Sequence, residues 1–149
     1  MNFIFNTTKV LLALMIIIWL FSFIPIAHSA EIDMHKIMMI ESSGDPLAHN
    51  VNSGARGLFQ ITKICLTEYN NFHPKHKFTS NDLWNPVKNT QVATWYLRQR
   101  IPQMLRYFKK PVSIRNIIIS YNAGILYVVK NKPLPRETIN YIKKYGEIK

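Results

Sequence analysis

Acidic residues are scarce in this sequence, and cysteine is almost absent. Eight Asp and Glu stand against 19 Lys and Arg in 149 residues, which gives a formal net charge of +11. The single cysteine, Cys65, excludes a scaffold built on disulfides within the chain. The hydrophobic share of 48% is too high for a disordered chain, and the length allows one domain. The sequence therefore predicts one folded, strongly basic domain.

The first thirty residues differ in composition from the rest of the chain. They contain one basic residue, Lys9, and no acidic residue, and residues 10–26 form a nearly unbroken apolar run that small residues follow. This pattern favours a secretory signal at residues 1–29 that is cleaved after Ser29. An N-terminal membrane anchor, held in the inner membrane by residues 10–26, is the alternative. Both interpretations place residues 30–149 outside the cytoplasm, in the periplasm or cell envelope.

The exported part keeps most of the positive charge. It has 18 basic and 8 acidic residues, so its net charge is +10, and such a surface attracts polyanions. Nucleic acid is the usual partner of a basic domain. An exported chain meets cell-wall polymers and lipid headgroups first, however, so we expect no nucleic acid as partner. Cys65 lies between apolar Ile64 and Leu66 and is interpreted as a packed residue, not as a nucleophile.

Residues 34–145 show the apolar spacing and the capping signals of helices. Asp33, Asn85 and Ser113 are of the residue types that cap helix starts, and Pro135 opens the last candidate. We expect Pro102 to kink or interrupt the third helix, with a further apolar turn at residues 104–108, and a loop at residues 71–80. The predicted helices cover residues 34–42, 58–69, 87–101, 114–122 and 135–145. The predicted fold is mainly α, with little or no β structure.

Glu41 occupies an unusual position in the first predicted helix. It follows Met34, Ile37 and Met38 on the same apolar face and stands in the last turn, where the helix dipole disfavours negative charge. Burial there would raise the pKa of its carboxyl, as a general acid near neutral pH requires. Periodicity alone favours the simpler alternative, in which Glu41 lies at the edge of the stripe with its carboxylate in water or on Arg56.

A second carboxylate for glycosidic chemistry is not evident. Glycosidases usually use two carboxylates, and the candidates besides Glu41 are Asp45, Glu68, Asp82 and Glu137. Asp45 is placed to cap a turn before proline, and Glu137 occupies the first turn of the last helix, a common structural position for Glu. This shortage fits a mechanism with one enzyme acid and a nucleophile supplied by the substrate.

The sequence contains little that could hold a metal ion. His73 and His76 have H-x-x-H spacing, but Pro74 lies between them in a polar stretch, and no carboxylate cluster accompanies them. We therefore expect no metal and no cofactor.

Five segments in order resemble the motifs of the lytic transglycosylase family, which has the goose-type lysozyme fold. They span roughly residues 34–145, and together they are far more specific than any one alone. Phe59 replaces the family's usual Met, and Asn85 replaces its usual Asp. The segments are Glu41-Ser42 with the turn to Pro46, residues 53–61 around Gly54-Ala55-Arg56-Gly57, residues 83–97 around Asn85-Pro86, Ser120-Tyr121-Asn122-Ala123-Gly124, and Pro135-Arg136-Glu137-Thr138 with Tyr141.

The resemblance implies a compact lysozyme-like helical domain that cleaves peptidoglycan. Glu41 would be the sole catalytic acid and base at the bond between N-acetylmuramic acid and N-acetylglucosamine. The muramyl 6-hydroxyl would attack C1 and leave a 1,6-anhydro end, assisted by the N-acetyl group. Gly57 would let the backbone pass close to the sugar. The other residues that the resemblance places in the substrate cleft are Ser42, Ser53, Phe59, Gln60, Tyr121, Asn122 and Tyr141.

Two rival functions share this fold. One is a lysozyme-type hydrolase that uses water, and the other is a catalytically silent cell-wall-binding assembly factor. The resemblance also implies glycan strands of peptidoglycan as the partner. It further implies that such a small enzyme serves an envelope-spanning secretion, conjugation or pilus machine, or a phage-related element.

Overall fold

Local capping signals start most of the helices in the computed structural model, which describes residues 31–148. The Asp33 carboxylate accepts hydrogen bonds from the backbone N–H groups of His35 and Lys36, and Asn85 does the same for the helix that Pro86 opens. The helices are α1 Met34–Ser42, α2 Lys63–Phe72, α3 Pro86–Trp95, α4 Ile101–Tyr107, α5 Ile114–Asn122, α6 Ile125–Val129 and α7 Arg136–Glu147. The mainly α prediction is confirmed.

A two-stranded sheet is the only β structure with paired strands among residues 31–148. Strand β1, His49–Asn50, pairs antiparallel with β2, Ala55–Arg56, so that His49 lies opposite Arg56. A further antiparallel bridge joins Arg56 to Ile61. This hairpin and the loop after it lie between α1 and α2, and they carry much of the site described below.

The second predicted helix begins later than expected. Residues 58–62 do not belong to it, because Leu58 to Ile61 turn back toward the hairpin and Thr62 caps the N-terminus of α2 by accepting from the Cys65 N–H. The helix then runs to Phe72, inside the segment predicted to be a loop. The sequence analysis also missed the short helix α6 and a 3₁₀ helix at Ser80–Trp84.

Pro102 interrupts the long predicted helix, as expected. A π-helical turn, Tyr96–Arg100, separates α3 from α4, and Pro102 occupies the first turn of α4. A wider turn ahead of the proline suits its missing N–H and the space that its ring needs. The proline is buried, so α4 packs into the core instead of diverging from it.

The core gathers apolar side chains from every long helix. Ile37 of α1, Val92 of α3 and Leu105 of α4 are completely buried, and three consecutive isoleucines of α5, residues 117–119, join them. The first and last helices are joined at the edge of this core, where the Asp33 backbone N–H donates to the Tyr145 hydroxyl at 2.8 Å. The ends of the domain therefore meet.

The predicted export segment, residues 1–29, lies outside the described residues. Within residues 31–148, no helix combines the length and the apolar character that a membrane span requires.

Candidate active site

An open cleft of about 1230 Å³ lies between the C-terminal ends of α1 and α5, the β-hairpin and the last helix. Six of the nine predicted site residues line it. They come from segments far apart in the sequence, so the fold assembles them. These six are Glu41, Ser53, Gln60, Tyr121, Asn122 and Tyr141.

Glu41 lies half-buried at the wall of this cleft, one turn beyond the buried Ile37. The Tyr141 hydroxyl donates a hydrogen bond of 2.8 Å to its Oε1 atom. Arg56 is not its partner, because that guanidinium donates to the Ser80 carbonyl at 3.1 Å and lies over the Trp84 ring. Glu41 forms no salt bridge with any of residues 31–148. The carboxyl is therefore held by a neutral donor.

Burial raises the pKa of the Glu41 carboxyl to about 7. The hydrogen bond from Tyr141 acts in the opposite direction, because it stabilises the carboxylate, and the negative charge of Glu137 adds a smaller upward contribution. A carboxyl with this pKa is protonated in about half of the molecules at neutral pH. It can donate a proton and, once ionised, accept one, which are the two steps that general acid–base catalysis needs.

Two tyrosines form a fixed wall behind Glu41. The Tyr121 hydroxyl donates to the Phe59 carbonyl at 2.5 Å, and burial raises its pKa well above the usual value. Burial also raises the pKa of Tyr141, and the neighbouring Glu41 carboxylate raises it further. Both phenols therefore stay protonated and act as hydrogen-bond donors near neutral pH.

Gln60 adopts a backbone conformation that is uncommon for a residue with a side chain. Its φ is +46°, in the left-handed region. Its side-chain amide nitrogen donates to the carbonyls of Ala48 and Gly57, at 3.0 Å each. The side chain thus ties the loop after β2 to the segment before β1, and this stabilises the strained backbone at the floor of the cleft.

Three predicted site residues lie behind the cleft wall instead of lining it. The Ser42 hydroxyl donates to the Leu58 carbonyl at 2.8 Å, which fixes the end of α1 on the loop. Phe59 is buried in the core, and Gly57 is buried against Asn89. A Cβ at Gly57 would lie 2.4 Å from the Asn89 amide nitrogen, so the close approach here is to protein and not to the cleft. The structure gives these residues positioning roles.

Asn89 of α3 is a positioning residue that the sequence analysis did not single out. It is completely buried, and its amide group accepts from the Phe59 N–H at 3.0 Å and donates to the carbonyls of Arg56 and Leu83. One side chain therefore satisfies three backbone groups of the segments that carry the cleft floor. The sequence feature that could have identified Asn89 is its position in the third motif.

Thr138 was also missed as a site residue. It is 1% exposed, and its hydroxyl donates to the Asn122 side-chain oxygen at 2.6 Å. This bond orients Asn122 at the end of α5 and fixes α7 beside it. Its position next to Glu137 in the fifth motif was the available signal.

Other side chains line the cleft without having been predicted. They include Thr62, Cys65 and Tyr96, and Arg136 and Lys143 of α7. Burial raises the pKa of the Cys65 thiol to about 12, so the thiol stays protonated and is a poor nucleophile near neutral pH.

The remaining carboxylate candidates have separate partners, with one exception. Asp45 accepts from the Leu47 N–H at 2.8 Å and caps a turn. Glu68 pairs with Arg100 at 2.6 Å, and Asp82 pairs with Lys88. Glu137 lines the same cleft as Glu41. It is therefore the only one of the four candidates that the fold brings to the site.

Comparison with known proteins identifies the family of this chain. The family model described as the transglycosylase SLT domain matches residues 29–141, which is about three quarters of the chain. No curated protein and no solved structure gives a significant match. The chain therefore belongs to the transglycosylase SLT domain family, and its function is of the peptidoglycan-cleaving, lytic transglycosylase type.

Proposed function

We propose that this protein cleaves the β-1,4 bond between N-acetylmuramic acid and N-acetylglucosamine and forms a 1,6-anhydromuramyl end. In this reaction the Glu41 carboxyl gives its proton to the leaving oxygen of the N-acetylglucosamine unit, and the bond to C1 breaks. The muramyl 6-hydroxyl then forms a new bond to C1, and its proton returns to the Glu41 carboxylate. Water is neither consumed nor released, and Glu41 ends each cycle as it began.

The observation that carries this proposal is the state of Glu41 in the cleft. Burial holds the pKa of this carboxyl near 7, and no cation among residues 31–148 forms a salt bridge that would keep it ionised. The Tyr141 hydroxyl donates to one of its oxygens and fixes the direction of the carboxyl. A group of this kind serves first as acid and then as base within one cycle.

A single catalytic carboxyl is supported by the partners of the other acidic residues. Asp45, Glu68 and Asp82 are engaged in a turn and in two salt bridges. Glu137 and Glu147 also line the cleft, and Glu147 pairs with Lys143 at 3.8 Å. Glu137 is therefore the cleft carboxylate on which a two-carboxylate mechanism would rely. Replacing Glu41 and Glu137 separately therefore distinguishes one acid from two.

The test compares Glu41→Gln with Glu137→Gln on purified peptidoglycan. We expect Glu41→Gln to lose at least about 100-fold in rate, since a positioned general acid contributes about 10²–10⁴-fold. Glu137→Gln is expected to retain activity within about ten-fold of the unmodified protein. A single cooperative melting transition in each variant would show that both are folded. Full activity of Glu41→Gln would contradict the proposal, and equal losses in both variants would point to two carboxylates.

The product separates a transglycosylase from a lysozyme-type hydrolase. Mass spectrometry of the released muropeptides should show anhydro ends, which are lighter than reducing ends by one water molecule. Reducing ends alone would establish hydrolysis. Binding to peptidoglycan without any turnover would support the cell-wall-binding alternative.

Peptidoglycan as substrate places this activity outside the cytoplasm. We propose that residues 1–29 direct export to the periplasm or cell envelope, and that the enzyme opens the wall locally for a secretion, conjugation or pilus machine. N-terminal sequencing of the mature protein would distinguish a cleaved signal from an anchor through residues 10–26. A mature chain that begins at Ala30 would establish cleavage.

A further inference from the structure

Charge is distributed very unevenly along this chain. From Leu83 through Arg136 the sequence has ten basic residues and no acidic residue. The basic residues at the start of this stretch are engaged elsewhere in the fold, since Lys88 pairs with Asp82 and Arg100 pairs with Glu68. Those from Arg106 to Lys130 have no acidic residue within six positions in the sequence.

Five of these later residues lie in the last turn of α4 or just after the ends of α4 and α6, two helices that pack against each other. Lys110 follows α4, and its ammonium group donates to the Asn131 side chain at 3.4 Å, beyond the end of α6. None of the five forms a salt bridge with residues 31–148. Together with two aromatic residues they form what we call the basic aromatic patch: Arg106, Tyr107, Phe108, Lys109, Lys110, Lys130 and Lys132.

One aromatic side chain of the patch is turned toward solvent and the other is partly exposed. Tyr107 is 80% exposed and Phe108 is 39% exposed, and their rings meet edge to face with centroids 5.0 Å apart. Exposed neighbouring aromatic rings add little to the stability of a fold, because they bury little apolar area. The clustered positive charges repel one another in the free protein. Neither feature is explained by the packing of this domain.

The patch is separate from the candidate active site. None of its seven residues lines the cleft around Glu41. Its ligand therefore need not be the bond that is cleaved.

We propose that the basic aromatic patch binds the surface of an anionic phospholipid bilayer. Basic side chains near such a surface are attracted by its negative potential. Tyrosine and phenylalanine rings favour the headgroup region, where the apolar part of the ring leaves water. A polyanion without apolar or stacking groups would engage the lysines and leave the rings exposed, so for an exported domain the combination of both side-chain types favours lipid. The site would hold the catalytic domain at the membrane face of the wall.

The test measures partition of the full chain into vesicles of phosphatidylcholine alone and of phosphatidylcholine mixed with phosphatidylglycerol. The ratio of the two partition coefficients isolates the preference for anionic lipid, because residues 1–30 are the same in every variant. We expect the double variant Lys109→Gln with Lys110→Gln to lower this ratio by about 25-fold, since each charge near the surface contributes about five-fold. We expect Tyr107→Ser to lower binding to the mixed vesicles as well.

Matched controls remove the same charge and the same apolar area elsewhere. Lys75→Gln with Lys77→Gln takes two exposed lysines from the loop after α2, and Val87→Ser takes an exposed apolar side chain from α3. We expect each control to bind mixed vesicles within about two-fold of the unmodified protein. All variants should cleave purified peptidoglycan at the unmodified rate, which shows that they are folded.

Three results would overturn the proposal. The unmodified protein could bind both kinds of vesicle equally, or the lysine control could lose as much binding as the patch variant. The patch variant could also lose binding to purified peptidoglycan and keep its binding to mixed vesicles. In that case the patch would be a wall-binding surface.

Discussion

Ionisation of Glu41 sets the pH range in which the site can donate a proton. Because burial raises the pKa of this carboxyl to about 7, the acid form dominates below that pH and is lost above it. We expect the rate of peptidoglycan cleavage at low substrate to fall about ten-fold per pH unit above pH 7. The loss of turbidity of a purified peptidoglycan suspension across pH 5–9 measures this alkaline limb of the pH–rate profile. A limb near the ordinary pKa of glutamate, 4.5, would contradict the buried position.

Two neighbours of Glu41 should move this limb in opposite directions. Tyr141→Phe removes the hydrogen bond that stabilises the carboxylate, so the pKa of Glu41 and the alkaline limb should rise. Glu137→Gln removes a negative charge, so the limb should shift to lower pH. The same turbidity assay on both variants provides the comparison. A shift in the same direction in both would mean that the limb reports a group other than Glu41.

Tight packing between the hairpin loop and α3 leaves no room for a side chain at Gly57. Gly57→Ala would place a Cβ 2.4 Å from the Leu83 carbonyl oxygen and from the Asn89 amide nitrogen, at a φ of +74°. We expect it to lower the free energy of unfolding by about 3 kcal/mol or more, because backbone must shift or a buried hydrogen bond must break.

Gly54 provides the matched control for this variant. It also has a positive φ, +68°, but nothing lies within 4 Å of a Cβ built there. Gly54→Ala should therefore cost only about 1 kcal/mol, the cost of the left-handed backbone. Urea denaturation of both variants measures the difference. Equal losses would mean that the Gly57 contact is looser than described.

Helix starts could be predicted from the sequence, because their signals are local. Asp33, Asn85 and Ser113 each cap N–H groups two or three residues away. Leu58 to Ile61 could not be placed in this way. These residues are apolar enough for a helix, but the Phe59 N–H bonds to Asn89, 30 positions further along the chain. A contact over that distance overrides the local helix propensity, and it produces no periodic pattern of apolar residues from which it could be predicted.

The candidate site also has features that could be predicted from the sequence and others that could not. The apolar spacing around Glu41 predicted which way its side chain points, and the motifs identified Tyr121 and Tyr141. Periodicity alone favoured water or Arg56 as the surroundings of the carboxylate, and the structure shows the Tyr141 hydroxyl instead. That partner lies 100 residues away, beyond the reach of any local pattern.

The raised pKa of Glu41 also couples the stability of the protein to pH. The carboxyl is protonated in both states below pH 4.5, so it then has no effect on folding. Between pH 4.5 and about 7 the folded state keeps a proton that the unfolded state releases, and stability falls as pH rises. Above about pH 7 the loss in the free energy of unfolding is complete, and it amounts to about 3 kcal/mol at most.

Glu41→Gln should relieve this penalty, since the amide stays neutral at every pH. We expect the variant to be more stable than the unmodified protein at pH 8, by up to about 3 kcal/mol, and to match it at pH 4. Chemical denaturation at the two pH values measures the difference, and pH 4 serves as the internal control. An advantage of equal size at both values would assign the effect to a cause other than ionisation.

The bond between Glu41 and Tyr141 joins the first described helix to the last one. An incomplete chain that stops before α7 contains the carboxyl but lacks the phenol and the surface that shield it from water. We expect Glu41 in such a fragment to be exposed to water and ionised at neutral pH, and thus unable to donate a proton. If Glu41 is the acid of the proposed reaction, a copy that lacks α7 should not be able to cleave the wall that encloses the cell.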